Sequence, residues 1–220
     1  MSLKVDVISD VVCPWCFIGK RRLEQALNAW PQRHADIAVA VHWHPFELNP
    51  EMPVSGMNRR DYIEMKFGGP RRAREVYSRV EAAGREVDIQ FNFASIELQP
   101  NTVDSHRLIA FAARYQRQPE IVEALFRAYF LEGQDLTQRE TLEQLSTHAG
   151  LDRRAVQEYL KSNDGIDQVK SDEASAQQIG VQGVPFFIFN GRLAVSGAQP
   201  ADVLLQAMEQ AVANAAAVNA

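Results

Sequence analysis

Two cysteines with a short spacing are the residues of this sequence most suited to chemistry. Cys13 and Cys16 are the only cysteines among the 220 residues, and they flank Pro14 and Trp15. Two thiols at this spacing, at a predicted strand-to-helix junction, are typical of thiol–disulfide exchange. One thiolate attacks a disulfide, and the second thiol resolves the mixed disulfide and leaves an intramolecular disulfide. The pair therefore predicts a redox site.

The sequence around the pair predicts the elements that position it. Residues 3–8 form a β-branched run that predicts a strand, and from Cys16 onward apolar residues recur with helical period, which puts Cys16 on the buried face. Cys13 then lies at the helix N-terminus, where unpaired N–H groups and the helix dipole stabilise a thiolate. Pro14 suits the first turn of the helix, and Trp15 is expected to form an apolar platform beside Cys13. We therefore expect Cys13 to be the nucleophile and Cys16 the resolving thiol.

Two other interpretations of the cysteine pair are open. A structural zinc site needs four ligands, and the sequence has no second cysteine pair. His42 and His44 could complete such a site, but their spacing places them on one face of a predicted strand, which is a common packing arrangement. The other interpretation is a pair of inert buried thiols. Spacing, helix position and composition together favour redox chemistry, and we predict no metal.

Composition excludes several classes of protein. The net charge of −5 argues against a nucleic-acid surface, and no apolar run approaches the ~20 residues of a membrane span. We therefore expect neither a nucleic-acid nor a membrane partner. The N-terminal residues enter strand-like sequence directly, without the pattern of a signal peptide. The sequence accordingly predicts a cytoplasmic protein.

The order of predicted elements indicates an α/β fold with a helical insertion. Residues 37–43 predict a second strand, parallel to the first because a helix connects the two. Residues 49–180 have helical periodicity, and the chain then returns to two short strands joined at Asn190-Gly191, a strong hairpin signal. A last helix begins at Pro200. We predict a discontinuous domain of residues 1–48 and 181–220, and an inserted helical domain of residues 49–180.

Several polar and aromatic residues are candidates for the site. Ligands collect at the carboxyl ends of parallel strands, so Phe46 should emerge beside Cys13, either as the rim of an apolar groove or as core packing beneath a loop. Glu47 has two interpretations, a buried base or a solvated rim residue, and the second is favoured. Asp10 either influences proton transfer or serves as a turn residue. His106 either binds substrate or glutathione, or packs in the core.

The order of elements and three motifs together resemble the DsbA-like branch of the thioredoxin superfamily, and within it the FrnE-like group. The motifs are Ser9-Asp10-Val11-Val12-Cys13-Pro14-Trp15-Cys16, Pro45-Phe46-Glu47-Leu48-Asn49-Pro50 and Gly183-Val184-Pro185-Phe186-Phe187. The resemblance implies a thioredoxin-like fold and a cis Val184–Pro185 bond that faces the cysteines. The backbone of Val184 would then pair with an extended substrate, as in strand addition.

The resemblance also implies an activity, that of a protein disulfide oxidoreductase or isomerase. Its substrates would be thiols or disulfides of proteins or small molecules, with no bound cofactor and with glutathione or another thiol as redox partner. Related kappa-class glutathione transferases and 2-hydroxychromene-2-carboxylate isomerases have serine at the first catalytic position, so Cys13 favours disulfide exchange. Two alternatives remain open: a glutathione-dependent isomerase or transferase of small molecules, and a redox-independent holdase or binding module.

Overall fold

The computed structural model describes residues 2–218, and residues 1 and 219–220 lie outside the described part. The chain begins with a strand and ends with a helix, and most of the other helices lie between the second and fifth strands. In chain order the elements are β1 (Ser2–Ser9), α1 (Pro14–Ala29), β2 (Ala38–Pro45), β3 (Met57–Asn58), α2 (Arg59–Phe67), α3 (Pro70–Arg85), β4 (Leu98–Gln99), α4 (Val103–Ala113), α5 (Gln118–Phe130), α6 (Arg139–His148), α7 (Arg153–Lys161), α8 (Ile166–Gln178), β5 (Phe186–Phe189), β6 (Leu193–Ser196) and α9 (Ala201–Val218).

The main sheet has four strands in the order β2-β1-β5-β6. The predicted parallel pairing of the first two strands is confirmed, with Ser2 opposite Ala38. β5 runs antiparallel to β1 and pairs with β6 in the predicted hairpin. Its turn places Asn190 and Gly191 at φ 49° and 66°, the left-handed region that these two residue types tolerate best. The sheet therefore brings the end of β1, the end of β2 and the start of β5 to one edge.

One hydrophobic core joins the sheet to the inserted helices. Phe17 of α1 is fully buried, and its ring stacks on Phe126 of α5 at 5.1 Å between centroids. Leu3 and Val5 of β1 and Leu204 of α9 belong to the same cluster of buried residues. This cluster includes side chains from both predicted domains, so the two share one core. The division at residues 48/49 and 180/181 stays a prediction.

The insertion between β2 and β5 contains α2 to α8 and a short antiparallel ladder of β3 with β4. The sequence did not predict this ladder, because two-residue strands are too short to show any periodicity. Gly68 ends α2 in the left-handed conformation at φ 68°, and α3 begins two residues later at Pro70. Within residues 2–218, no helix is long and apolar enough to span a bilayer.

Candidate active site

The two thiols lie at the N-terminus of α1, as predicted. Cys13 is the N-cap residue, its backbone N–H donates to the Asp10 carbonyl at 3.1 Å, and its own carbonyl accepts from Cys16 N at 3.0 Å. Pro14 is the first residue of the helix, a position at which a backbone N–H has no acceptor within the helix. The lack of an N–H in proline therefore costs no hydrogen bond. Cys13 is 5% exposed and Cys16 1% exposed. The turn and the first helical hydrogen bonds therefore fix both cysteines.

The loop before β5 faces Cys13. The Cys13 thiol donates to the Val184 carbonyl oxygen at 3.5 Å, and the Val184–Pro185 peptide bond is cis. Pro185 is buried whereas Val184 is half-buried. The fold thus joins residues 171 positions apart in the chain, and it puts a backbone carbonyl directly beside the predicted nucleophile.

The environment of Cys16 differs from that of a surface thiol. Burial, together with the neighbouring Cys13, raises the pKa of the Cys16 thiol well above its ordinary value, although the Ser9 side chain opposes this shift. Cys16 is therefore held as a neutral thiol in the reduced protein. This protonation state suits a thiol that waits for a mixed disulfide to form at Cys13.

Gly19 allows α1 to lie unusually close to the cis-proline loop. A Cβ atom at position 19 would lie 2.9 Å from Pro185 Cγ and 3.2 Å from Phe187 Cζ. Such a separation is shorter than van der Waals contact, so a larger residue would displace one of the two elements. Gly19 follows Cys16 by three residues, so helical period puts both on one face of α1, but no local pattern indicates that the opposing surface is Pro185.

Two aromatic residues flank the thiols in different ways. Trp15 is 38% exposed, which agrees with its predicted position as an apolar platform. Phe46 is half-buried and packs on a small cluster that includes Ile8 and Val181, and Val184 packs on this same cluster. The side of the site toward Val184 is therefore apolar. Substrate contact by Trp15 and Phe46 stays a prediction.

Asp10 and His106 lie behind the turn that precedes Cys13. The Asp10 carboxylate accepts from Leu48 N at 2.8 Å, and its Oδ1 lies 3.4 Å from His106 Nε2. The two side chains are 1% and 2% exposed. His106 is therefore almost wholly buried, and its predicted contact with substrate stays a prediction. Through its hydrogen bond from Leu48 N, Asp10 fixes residue 48 against the turn before the cysteines.

Glu47 lies deeper than a solvated rim residue, which corrects the favoured interpretation. Its backbone N donates to the Glu173 carboxylate of α8 at 2.5 Å, and its own Oε2 is buried without a hydrogen-bond donor. Burial, followed by the charge of Glu173, raises the pKa of Glu47 from 4.5 to about 7. The sequence did not indicate Glu173, because it is one polar residue on a polar helix 126 positions away.

The zinc interpretation finds no support in the described residues. His44 Nε2 lies 2.7 Å from Asp6 Oδ1 on the neighbouring strand. Across residues 2–218, no three His, Cys, Asp or Glu side chains are grouped so as to hold a metal ion. Two thiols, a backbone carbonyl and an apolar surface are the groups that the structure brings together here.

Comparisons with known proteins agree with this geometry. A probable DsbA oxidoreductase from Streptomyces coelicolor is 32% identical, with a TM-score of 0.86 over 96% of this chain and 90% of that one. The uncharacterized protein YwbO of Bacillus subtilis (strain 168) is 26% identical over 209 residues, which cover 94% of this chain and 96% of the relative. A 2-hydroxychromene-2-carboxylate isomerase shares the fold, with a TM-score of 0.68 at 17% identity and 98% coverage of both chains.

These similarities confirm the predicted thioredoxin-like fold with a helical insertion. The model of the DSBA-like thioredoxin domain matches residues 4–209, which include the cysteines, the whole insertion and the first half of the last helix. The chain therefore belongs to the DSBA-like thioredoxin domain family.

Proposed function

We propose that this protein is a thiol–disulfide oxidoreductase or isomerase that uses Cys13 as nucleophile and Cys16 as resolving thiol. One observation carries the proposal. Cys13 is the N-cap residue of α1 and its thiol donates to the Val184 carbonyl at 3.5 Å, while Cys16 lies buried one helical turn away. A nucleophile at a helix N-terminus beside a buried second thiol is the arrangement that two-step disulfide exchange requires.

The proposed reaction proceeds in two balanced steps. The Cys13 thiolate attacks one sulfur of a substrate disulfide, the substrate S–S bond breaks, and the departing thiolate takes a proton. Cys16 then loses its proton and attacks Cys13 Sγ, which forms the Cys13–Cys16 disulfide and releases the second substrate thiol. Two electrons pass from the protein to the substrate. Two molecules of glutathione, or of another thiol, return them and become a disulfide. Isomerisation would follow if a second substrate thiol attacked the mixed disulfide first.

The surroundings of Cys13 suit an extended segment of substrate. The Val184 backbone lies across from the thiol and would pair with the substrate main chain, while Pro14, Pro185, Trp15 and Phe46 would contact its side chains. We place the protein in the FrnE-like group on its motifs. We also propose that it acts in the cytoplasm. In that reducing compartment a lone cysteine pair is more often catalytic than structural, which fits the proposed chemistry.

The direct test is glutathione-driven reduction of a disulfide-bonded peptide. We expect catalysed turnover by the wild-type protein and none by a Cys13→Ser/Cys16→Ser double variant. The same preparations should be assayed with small aromatic glutathione acceptors and with an aggregating client protein. Glutathione-dependent activity that survives Cys16→Ser would favour the isomerase or transferase alternative. Suppression of aggregation by the double variant, without turnover by the wild type, would favour the holdase.

A further inference from the structure

Glu47, Glu173, Asp10 and His106 form a cluster at the junction of the sheet and the inserted helices. Asp10 follows β1, Glu47 follows β2, His106 lies on α4 and Glu173 lies on α8. Besides the contact of Asp10 with His106, the Glu173 carboxylate accepts from the Glu47 backbone N at 2.5 Å, and its charge acts on the Glu47 carboxyl. We refer to these four residues as the junction cluster.

The junction cluster contains a buried oxygen that lacks a donor. Glu47 Oε2 is buried and unpaired in the described structure, although buried polar atoms are nearly always hydrogen-bonded. Its neighbour Glu173 is also a carboxylate, and two ionised carboxylates cannot donate to each other. A proton on Glu47 resolves this conflict, because the protonated carboxyl donates to Glu173 and one negative charge disappears.

We propose that Glu47 carries a proton in the active protein and donates it in a carboxyl–carboxylate hydrogen bond to Glu173. This hydrogen bond, which we call the clip, positions residues 46–48 beside the cysteines. That segment is tied directly to the turn before Cys13: Phe46 N donates to Ser9 O at 3.1 Å, and Leu48 N donates to Asp10 Oδ2. Phe46 also packs on the cluster that Val184 contacts. Glu47 is therefore a positioning residue, not a catalytic one. The effect of this hydrogen bond on disulfide exchange rests on the proposed function.

The charges around Glu47 set the pH at which the clip opens. Glu173 on α8 and Asp10 after β1 disfavour its ionised form, and burial does so most strongly, whereas His106 on α4 favours it. The pKa of Glu47 is about 7, so the clip is closed below this pH and opens above it as two carboxylates repel each other.

Hydrogen exchange of residues 46–48 tests the clip without any disulfide substrate. After correction for the intrinsic exchange rate, we expect their protection in the wild type to fall about fivefold across pH 7, the equivalent of one hydrogen bond. Glu47→Gln, which donates but cannot ionise, should show no such step. Glu173→Gln should move the step to lower pH. The exposed control Glu51→Gln should retain it.

Thermal unfolding gives a second readout with a defined sign. The folded protein holds the Glu47 proton more tightly than the unfolded chain, so wild-type stability falls as pH rises from 4.5 to about 7 and is level above that. Below pH 4.5 the Tm of Glu47→Gln should equal that of the wild type. Above about pH 7 it should be higher by about 2–4 °C. Identical pH profiles for the wild type and Glu47→Gln, or loss of protection in Glu47→Gln at every pH, would overturn the proposal. If Glu47→Gln does not fold, an unmoved step in Glu173→Gln overturns it.

Discussion

Replacement of Cys13 by serine is expected to lower the rate of disulfide exchange by more than about 10³-fold, because the hydroxyl is a far weaker nucleophile than a thiolate. The fold should be unaffected, since serine differs only in the γ atom and can still donate to the Val184 carbonyl. The measurement is the turnover of a disulfide-bonded peptide with glutathione, with circular dichroism as the check on folding.

Cys16→Ser provides the matched comparison. This variant keeps the nucleophile but lacks the resolving thiol, so a mixed disulfide between Cys13 and the substrate should accumulate and be visible as a mass adduct. Cys13→Ser should form no adduct. Normal turnover by both variants would show that neither thiol performs the chemistry.

Gly19→Ala is expected to lower exchange by about tenfold to a hundredfold while both thiols remain present, because it separates the cysteine-bearing helix from the cis-proline loop. The added methyl group would lie 2.9 Å from Pro185 Cγ. The displacement changes the position of the Val184 carbonyl relative to Cys13, and with it the site where we expect substrate to pair. The measurement is kcat/KM for the disulfide-bonded peptide, together with the thiol count.

Gly183→Ala is the control for this substitution. It lies in the same loop as Val184, its backbone dihedral is ordinary, and a Cβ atom there would meet no atom within 4 Å. We expect its activity to stay near that of the wild type. Equal activities for Gly19→Ala and Gly183→Ala would show that the contact between α1 and Pro185 does not position the site.

Local patterns in the sequence were sufficient to predict most of the fold. The β-branched run before Cys13, the helical stripe after it and the Asn190-Gly191 turn each depend on neighbouring residues, and each appears in the structure where the sequence predicted it. The β3 and β4 ladder was missed because its pairing partners are distant and each strand has two residues. Local patterning cannot indicate such a contact.

In the candidate active site, too, local patterns indicated only what depends on neighbouring residues. The positions of Cys13 and Cys16 followed from spacing and helix polarity, whereas the approach of Val184 required a resemblance, because no local rule relates residues 171 positions apart. Glu47 was predicted to be solvated since a glutamate after a strand usually is. Its backbone instead donates to Glu173, which the fold brings from a distant helix. Residues whose role arises from long-range contacts were therefore the ones that the sequence did not reveal.

The most direct measurement is the redox equilibrium of the cysteine pair. The protein would be equilibrated in graded glutathione buffers, its free thiols alkylated, and the Cys13–Cys16 disulfide quantified by mass. Our account predicts a reversible two-electron transition at a potential near or above the cytosolic poise of roughly −220 to −320 mV, with an intramolecular disulfide as the oxidised product. A stable glutathione adduct at Cys13, without any intramolecular disulfide, would contradict it.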